Sequence, residues 1–235
     1  MLPMAILAGG YATRLGPLTR EIPKCLIEIN GRPFVDWQLD LLINNGYSDF
    51  VFCLSYKSNL IQEHLGDGSH RGVRIQYSLD GETQLGTGGA IQKALSMLGP
   101  AFGVLYGDSY LPMNYHQAEQ VFLGAQSHAL MTVYKNQNQF DKSNVEFVDG
   151  KLLNYEKGTN NSRMHHIDYG ITFFKEEAFQ FWTDQSSFDL SKVCNQLAKD
   201  KQLEGFEVFE RFYEIGSLLG IEEFSKYLRK ASSEL

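Results

Sequence analysis

Four short apolar runs, Met4–Leu7, Phe50–Leu54, Val73–Leu79 and Phe102–Tyr106, are separated by segments of helical periodicity, and this alternation restricts the fold more than any other feature. Phe34, Trp37, Leu41 and Leu42 fall near helical spacing across Phe34–Ile43, with Asn45-Gly46 as a stop. Asn59–Leu65 reads as a short helix ended by Gly66, Ala90–Leu98 as a helix closed by Gly99-Pro100, and Tyr115–Leu123 as another helix. Strands that alternate with helices of this length predict βαβ units with right-handed crossovers. The fold class expected is α/β: a Rossmann-like mixed, mostly parallel sheet flanked by helices.

The pattern changes near residue 128. Ala129–Tyr134 and Ile167–Phe174 read as strands, and Val145–Val148 and Lys151–Tyr155 as a hairpin with Asp149-Gly150 at its turn. Helices are expected near Glu176–Trp182, Leu190–Lys199 and Ile221–Lys230, with Phe212–Ile215 extended. No linker, repeat or low-complexity tract divides the chain. The expectation is one domain over 1–235, with a nucleotide-type half over about 1–128 and a mixed half over about 129–235 on the same sheet.

Composition removes several classes of function. The net charge of −7 excludes a broad nucleic-acid-binding face, while leaving room for a few cations to hold a small anionic ligand. Cys25, Cys53 and Cys194 show neither metal-ligand spacing nor a disulfide framework, which points to a reducing, cytoplasmic compartment. Leu2–Ala8 is too short for a signal peptide and is interrupted by Pro3, and no run approaches ~18 apolar residues, so no membrane association is expected.

The first connection carries the chemistry. Beyond Leu7-Ala8, Gly9-Gly10 lets backbone N–H groups approach a ligand, and such groups cradle phosphate oxygens. Arg14 offers a forked donor for phosphate, and Lys24 a compact charge. Taken alone, these residues also suit a glycine turn with solvated cations. The spacing is neither a Walker P-loop nor a G-x-G-x-x-G fingerprint.

Leu7-Ala8-Gly9-Gly10, Thr13-Arg14-Leu15, Pro17-Leu18-Thr19 and Pro23-Lys24 together resemble the signature of the sugar-1-phosphate nucleotidylyltransferases. The resemblance continues in order along nearly the whole chain. Gly86-Thr87-Gly88-Gly89-Ala90 is similar to a base-pocket segment, and Tyr106-Gly107-Asp108 to a strand end whose aspartate holds a metal. Glu156-Lys157 is similar to a sugar-phosphate pair, Asp168-Tyr169-Gly170-Ile171 to a segment that meets the sugar, and Phe212-Tyr213-Glu214-Ile215-Gly216 to one that supplies a second metal carboxylate. Four positions depart from the family pattern: Ala12 for a third loop glycine, Gly158 for a proline, Glu214 for aspartate and Asp168 for asparagine.

The resemblance implies the nucleotide-diphospho-sugar transferase fold and transfer of a nucleotidyl group from an NTP to a sugar 1-phosphate, releasing pyrophosphate. It implies Arg14, Lys24 and Asp108 as catalytic, and Leu7, Ala8, Gly9, Gly10, Thr13, Arg14, Gly86, Thr87 and Gly88 at the nucleotide. Glu156, Lys157, Asp168, Tyr169 and Gly170 would bind the sugar phosphate, and Asp108 and Glu214 would hold Mg²⁺. It allows a homodimer. The short form is most similar to D-glycero-D-manno-heptose 1-phosphate guanylyltransferases, which make precursors of surface polysaccharide, and to N-acetylmuramate-1-phosphate uridylyltransferases; choline-phosphate cytidylyltransferases share the first loop.

Each residue has a plainer reading when weighed alone. Asp108 suits a turn after a strand, Glu156-Lys157 a solvated strand end, and Glu214 a surface carboxylate. His165-His166 with Asp168 suits zinc poorly, because adjacent strand residues face opposite ways. The aromatic residues, Tyr169 and Trp182 included, suit core packing. Other classes are a nucleotide-sugar sensor without catalysis, a glycosyltransferase and an NAD-dependent dehydrogenase. The first would lose Arg14, Lys24 or Asp108, the second would carry a D-x-D motif where the chain reads Gly107-Asp108-Ser109-Tyr110, and the third needs glycine spacing that is missing.

Overall fold

The computed structural model describes residues 1–10, 15–16, 21–158, 161–182 and 187–233. Arg14, Thr13, Ala12 and the Pro17-Leu18-Thr19 segment lie outside the described residues. In chain order the elements are β1 (Met4–Leu7), β2 (Glu28–Ile29), β3 (Arg32–Pro33), α1 (Phe34–Asn44), β4 (Asp49–Leu54), α2 (Ser58–Leu65), β5 (Arg74–Leu79), α3 (Gly86–Leu98), β6 (Ala101–Tyr106), β7 (Ser109–Tyr110) and α4 (Tyr115–Gly124). There follow β8 (Ala129–Lys135), β9 (Val145–Val148), β10 (Lys151–Tyr155), β11 (His166–Lys175), α5 (Leu190–Lys199), β12 (Leu203–Val208), β13 (Tyr213–Glu214) and α6 (Leu218–Ser233).

A nine-stranded sheet takes strands from both halves of the chain. Its path runs β10-β9-β11-β6-β1-β4-β5, with β8 joined to β11 and β12 to β8. β1, β4, β5, β6, β8, β9 and β12 run one way, and β10 and β11 the other. The sheet is therefore mixed and mostly parallel, as expected from the alternation.

Side-chain alternation along the strands feeds two cores. Met4 and Ile6 of β1, with Phe50, Phe52 and Leu54 of β4, enter one cluster alongside Val35 and Leu39 of α1 and Phe122 of α4. Ala5, Val51 and Cys53 face the other way, toward Ile91 and Ala94 of α3 and Val193 and Leu197 of α5. Because both faces of these strands are covered, residues 4–7 and 50–54 are apolar at every position, which is why they read as continuous apolar runs. A third, smaller cluster packs Phe224 of α6 onto Phe34 and Ile215. Helix starts follow the usual chemistry: Asn114 caps α4 by accepting from the Gln117 N–H at 3.0 Å, and Asp189 caps α5 by accepting from the Ser191 N–H at 2.8 Å.

Three elements differ from the sequence expectation. β12 was not expected; its two glutamates and Gly205 obscure the alternation, and it is an edge strand paired only with β8. Residues 176–182 form a 3-10 turn rather than an α-helix. α3 begins at Gly86, not Ala90, so the glycine-rich segment is the first helical turn. Glycine is tolerated there because Phe188 lies on top of it: the Gly88 N–H donates to the Phe188 carbonyl at 2.9 Å, and a β-carbon on Gly88 would come within 2.3 Å of the Phe188 ring. That ring is itself stacked on Trp182. Among the described residues no helix is long and apolar enough to cross a membrane.

Gly88→Ala is expected to lower stability by about 1–3 kcal/mol through overpacking against Phe188, a fall of several degrees in a thermal melt followed by circular dichroism. An unchanged midpoint would show that the Phe188 ring can swing aside.

Candidate active site

β1 and β6 lie side by side with Leu7 opposite Tyr106. From β1 the chain crosses to β4 on one side, and it returns from β5 through α3 to β6 on the other. The crevice beyond the ends of β1 and β6 is therefore the switch point of the sheet, where ligands collect in open α/β folds. The two chains touch there. The Gly107 N–H donates to the Leu7 carbonyl at 2.9 Å, and a β-carbon on Gly107 would lie 2.9 Å from the Ala8 β-carbon. Only glycine permits that approach.

Asp108 is fixed from three directions. The buried Gln38 amide of α1 donates to the carbonyls of Tyr106 at 2.9 Å and Ser109 at 2.6 Å, bracketing the turn. The Ile215 N–H donates to the Asp108 carbonyl at 3.0 Å. β7 and β13 pair Ser109 with Glu214. These bonds bring Glu214, from the far end of the sequence, beside Asp108. Lys24 completes the group from a 3-10 turn at Lys24–Leu26, its Nζ 2.6 Å from Asp108 Oδ2.

The electrostatics follow from crowding. Burial within the crevice, and then the carboxylates of Asp108 and Asp141, push the Glu214 carboxyl up to about 7, with Lys24 opposing. Glu214 is nevertheless open to solvent, as a group on the wall of a concave site can be. Asp108 and Glu214, carboxylates brought together by the β7–β13 pairing, offer hard oxygen donors to a divalent cation and so fit Mg²⁺ in donor chemistry.

A cavity of about 310 Å³ opens over this crevice. Leu7, Ala8, Gly9, Gly10, Lys24, Gly86, Thr87 and Asp108 are among the residues that line it. Gly88 does not, being buried under Phe188. Eight further residues that the sequence reading did not assign to the site line the cavity, among them Asp80, Gln84, Tyr106 and Asp189. Asp80 follows β5 as Asp108 follows β6, an acid at a parallel strand end, and that position was the available signal. Gln84 donates to the Gly9 carbonyl at 3.2 Å and ties the two loops together. Tyr106 and Asp189 complete the wall. Gln38 carries no motif, so its role is visible only in the fold.

The predicted acceptor residues separate. Asp168 sits in an irregularity of β11 between Asp168 and Thr172, where the register with β8 shifts; such bulges re-aim side chains near sites. Its Oδ1 accepts from the Gly170 N–H at 3.0 Å, and burial pushes its carboxyl up to about 6. Lys157 stands on an exposed turn, its Nζ 3.8 Å from Asp189 Oδ2. Gly158 has φ +81, a value that proline cannot adopt, which accounts for the missing proline. Glu156 is exposed and contributes its backbone N–H to the Asn144 carbonyl. The Tyr169 ring is buried in the core against Tyr134 and Phe212, so that residue does not offer its ring to the cavity. His166 is buried beside Glu207 and His165 is exposed, so the two face apart. The thiols of Cys25, Cys53 and Cys194 are free, and burial pushes the first two up to about 12 and the third well above its ordinary value. They stay protonated and are not nucleophiles.

Switch-point crevice, strand-end aspartate and paired lysine define a nucleotide-binding α/β enzyme. Residues 4–230 match the family model described as Nucleotidyl transferase. The chain belongs to this family and is a nucleotidyltransferase. It is 27% identical over 213 residues to the D-glycero-alpha-D-manno-heptose 1-phosphate guanylyltransferase of Campylobacter jejuni, covering 90% of this chain and 93% of that one. It is 37% identical over 116 residues to the N-acetylmuramate alpha-1-phosphate uridylyltransferase of Neisseria meningitidis, covering 49% of this chain and 50% of that one. Among solved structures, HddC from Yersinia pseudotuberculosis complexed with GMP-PN superposes with a TM-score of 0.78 at 21% identity, over 97% of this chain and 100% of that one. The inositol-1-phosphate CTP transferase from T. maritima gives a TM-score of 0.81 at 18% identity, over 98% and 96%.

The raised carboxyl of Asp168 has a consequence for stability. Between about pH 4 and pH 6 the folded chain holds a proton there that the unfolded chain releases, so this group's contribution falls as pH rises through that window. Asp168→Asn keeps the acceptor for Gly170 and removes the titration. Its thermal midpoint is expected to gain on wild type between pH 4 and pH 7; parallel curves would show that Asp168 titrates normally.

Proposed function

We propose that this protein transfers a nucleotidyl group from GTP to D-glycero-D-manno-heptose 1-phosphate, releasing pyrophosphate, in the cytoplasm. The observation that carries the reaction class is the grouping of Lys24, Asp108 and Glu214 at the switch point. An oxygen of the acceptor phosphate attacks the α-phosphorus in line with the departing pyrophosphate. The protein has little covalent work to do; it aligns two polyanions and offsets their repulsion.

Gly9 and Gly10 present backbone to the phosphates, and Arg14 clamps the triphosphate tail. Lys24 neutralises charge at the α-phosphate. Lys157 meets the acceptor phosphate, and Glu156 and Asp168 accept hydrogen bonds from sugar hydroxyls. Asp108 and Glu214 hold Mg²⁺, which when bound supplies further neutralisation of the phosphates. The heptose and guanine assignments draw support from the relative that aligns over 90% of this chain. The Asp80 carboxylate on the cavity wall also matches the edge of guanine, which presents two donors, N1–H and the N2 amino group. A uridylyltransferase acting on N-acetylmuramate 1-phosphate is the second reading, favoured by the higher identity over about half of the chain.

Pyrophosphate release with Mg²⁺, crossing GTP, UTP, dTTP, CTP and ATP against sugar 1-phosphates, tests both readings. Release with GTP and the manno-heptose is expected; release only with UTP and the muramate supports the second, and silence throughout sinks the activity. Lys24→Ala should lower turnover ~100-fold with the fold intact; near-normal turnover removes its role. Asp108→Asn should depress activity and shift the Mg²⁺ titration together, and an unshifted titration moves the metal elsewhere.

A further inference from the structure

Asp189 has no place in the roles assigned so far, yet it lines the cavity and stands against Lys157. One carboxylate oxygen, Oδ1, accepts from the Ser191 N–H at 2.8 Å and caps α5. The other, Oδ2, lies 3.8 Å from Lys157 Nζ. The next residue, Leu190, donates its N–H to Thr87 Oγ1 at 2.8 Å. Thr87 belongs to the first turn of α3, at the nucleotide end. Asp189 itself lines the cavity.

The cap does not need a charge. Asn, Ser and Asp cap helices about equally well, because the side-chain oxygen is what accepts the bond. The negative charge acts instead on Lys157, an exposed ammonium on a flexible four-carbon stem with no fixed geometry of its own. Asp168 also acts on Lys157, but among the described residues it is Asp189 that stands within ion-pair distance of the ammonium. Ser191, Lys157 and Thr87 together hold Asp189 below the ordinary carboxylate range despite burial, so its charge persists.

We propose that Asp189 is a positioning residue for the acceptor: its carboxylate holds Lys157 at the rim of the cavity, where the lysine meets the phosphate of the incoming sugar 1-phosphate. This rests on the acceptor-phosphate role proposed above for Lys157. A lysine already restrained at the rim meets the phosphate without first being gathered from solvent, so the benefit falls on acceptor binding. The Thr87 contact ties that restraint to the turn that meets the nucleotide.

Asp189→Asn and Asp189→Ser keep the cap and remove the charge. With the nucleotide held saturating, KM for the sugar 1-phosphate is expected to rise about tenfold while kcat changes far less. KM for the nucleotide should stay put, which a merely structural role would not predict. In a Lys157→Ala background, Asp189→Asn should add nothing more, because the two act as one unit. An unchanged or lowered KM overturns the proposal, the latter showing that Asp189 competes with the acceptor for Lys157. Additive effects overturn it as well. If Lys157→Ala alone leaves the acceptor KM unchanged, the premise fails and the proposal with it, a result distinct from loss of the transferase activity.

Discussion

The site depends on the parallel contact between β1 and β6. Register there puts Leu7 opposite Tyr106, and the Gly107 N–H reaches the Leu7 carbonyl where the two strands end. From that point one chain continues as Gly9-Gly10 and the other as Asp108, so a glycine loop and a carboxylate emerge as neighbours. The spacing is set by backbone hydrogen bonds between buried strands, not by flexible side chains. This is why the contact admits no β-carbon at Gly107, and why Gln38 spends a buried amide on the turn that follows. The Gln38 Oε1 is left without a protein partner, a small penalty accepted where backbone geometry matters most.

Around that contact the charges are gathered, not balanced. A chain of net charge −7 binds polyanions only if its cations are concentrated where the ligand comes to rest. Lys24 and Lys157 each stand against a carboxylate lining the same cavity, Asp108 and Asp189. On the function proposed above, these carboxylates hold the lysines where phosphates come to rest. The raised proton affinity of Glu214 shows the other side of this arrangement: with Asp108 and Asp141 nearby, the crevice holds more negative charge than one lysine offsets. A divalent cation or a bound proton relieves it.

Much of this was legible in the sequence because it is local or periodic. The strands of the first half announce themselves as apolar runs, and Gly9-Gly10 and Asp108 sit where two of those runs end. Glu214 was legible only through the resemblance, since nothing near Phe212–Ile215 says that it folds back on β7. Three kinds of feature stayed hidden. β12 pairs only at an edge, so its residues need not alternate clearly. Gly88 looked like ligand-facing backbone, but its N–H is taken by Phe188, a partner a hundred positions away in sequence. Gln38 and Asp189 carry ordinary labels, a helix amide and a helix cap; their second contacts exist only once remote elements pack together.

Those remote contacts both join the two halves of the chain. In one, β7 pairs with β13 and the Ile215 N–H donates to the Asp108 carbonyl, so Asp108 from the first half and Glu214 from the second are brought together by the same small ladder. In the other, the first turn of α3 meets the start of α5, where the Leu190 N–H donates to Thr87 Oγ1. Both rest on backbone N–H groups, so Asp108 and Thr87, which border the cavity from the first half, are held by elements of the second. A nucleotidyltransferase must align two polyanions, and fixed spacing of this kind is what that chemistry asks of a fold.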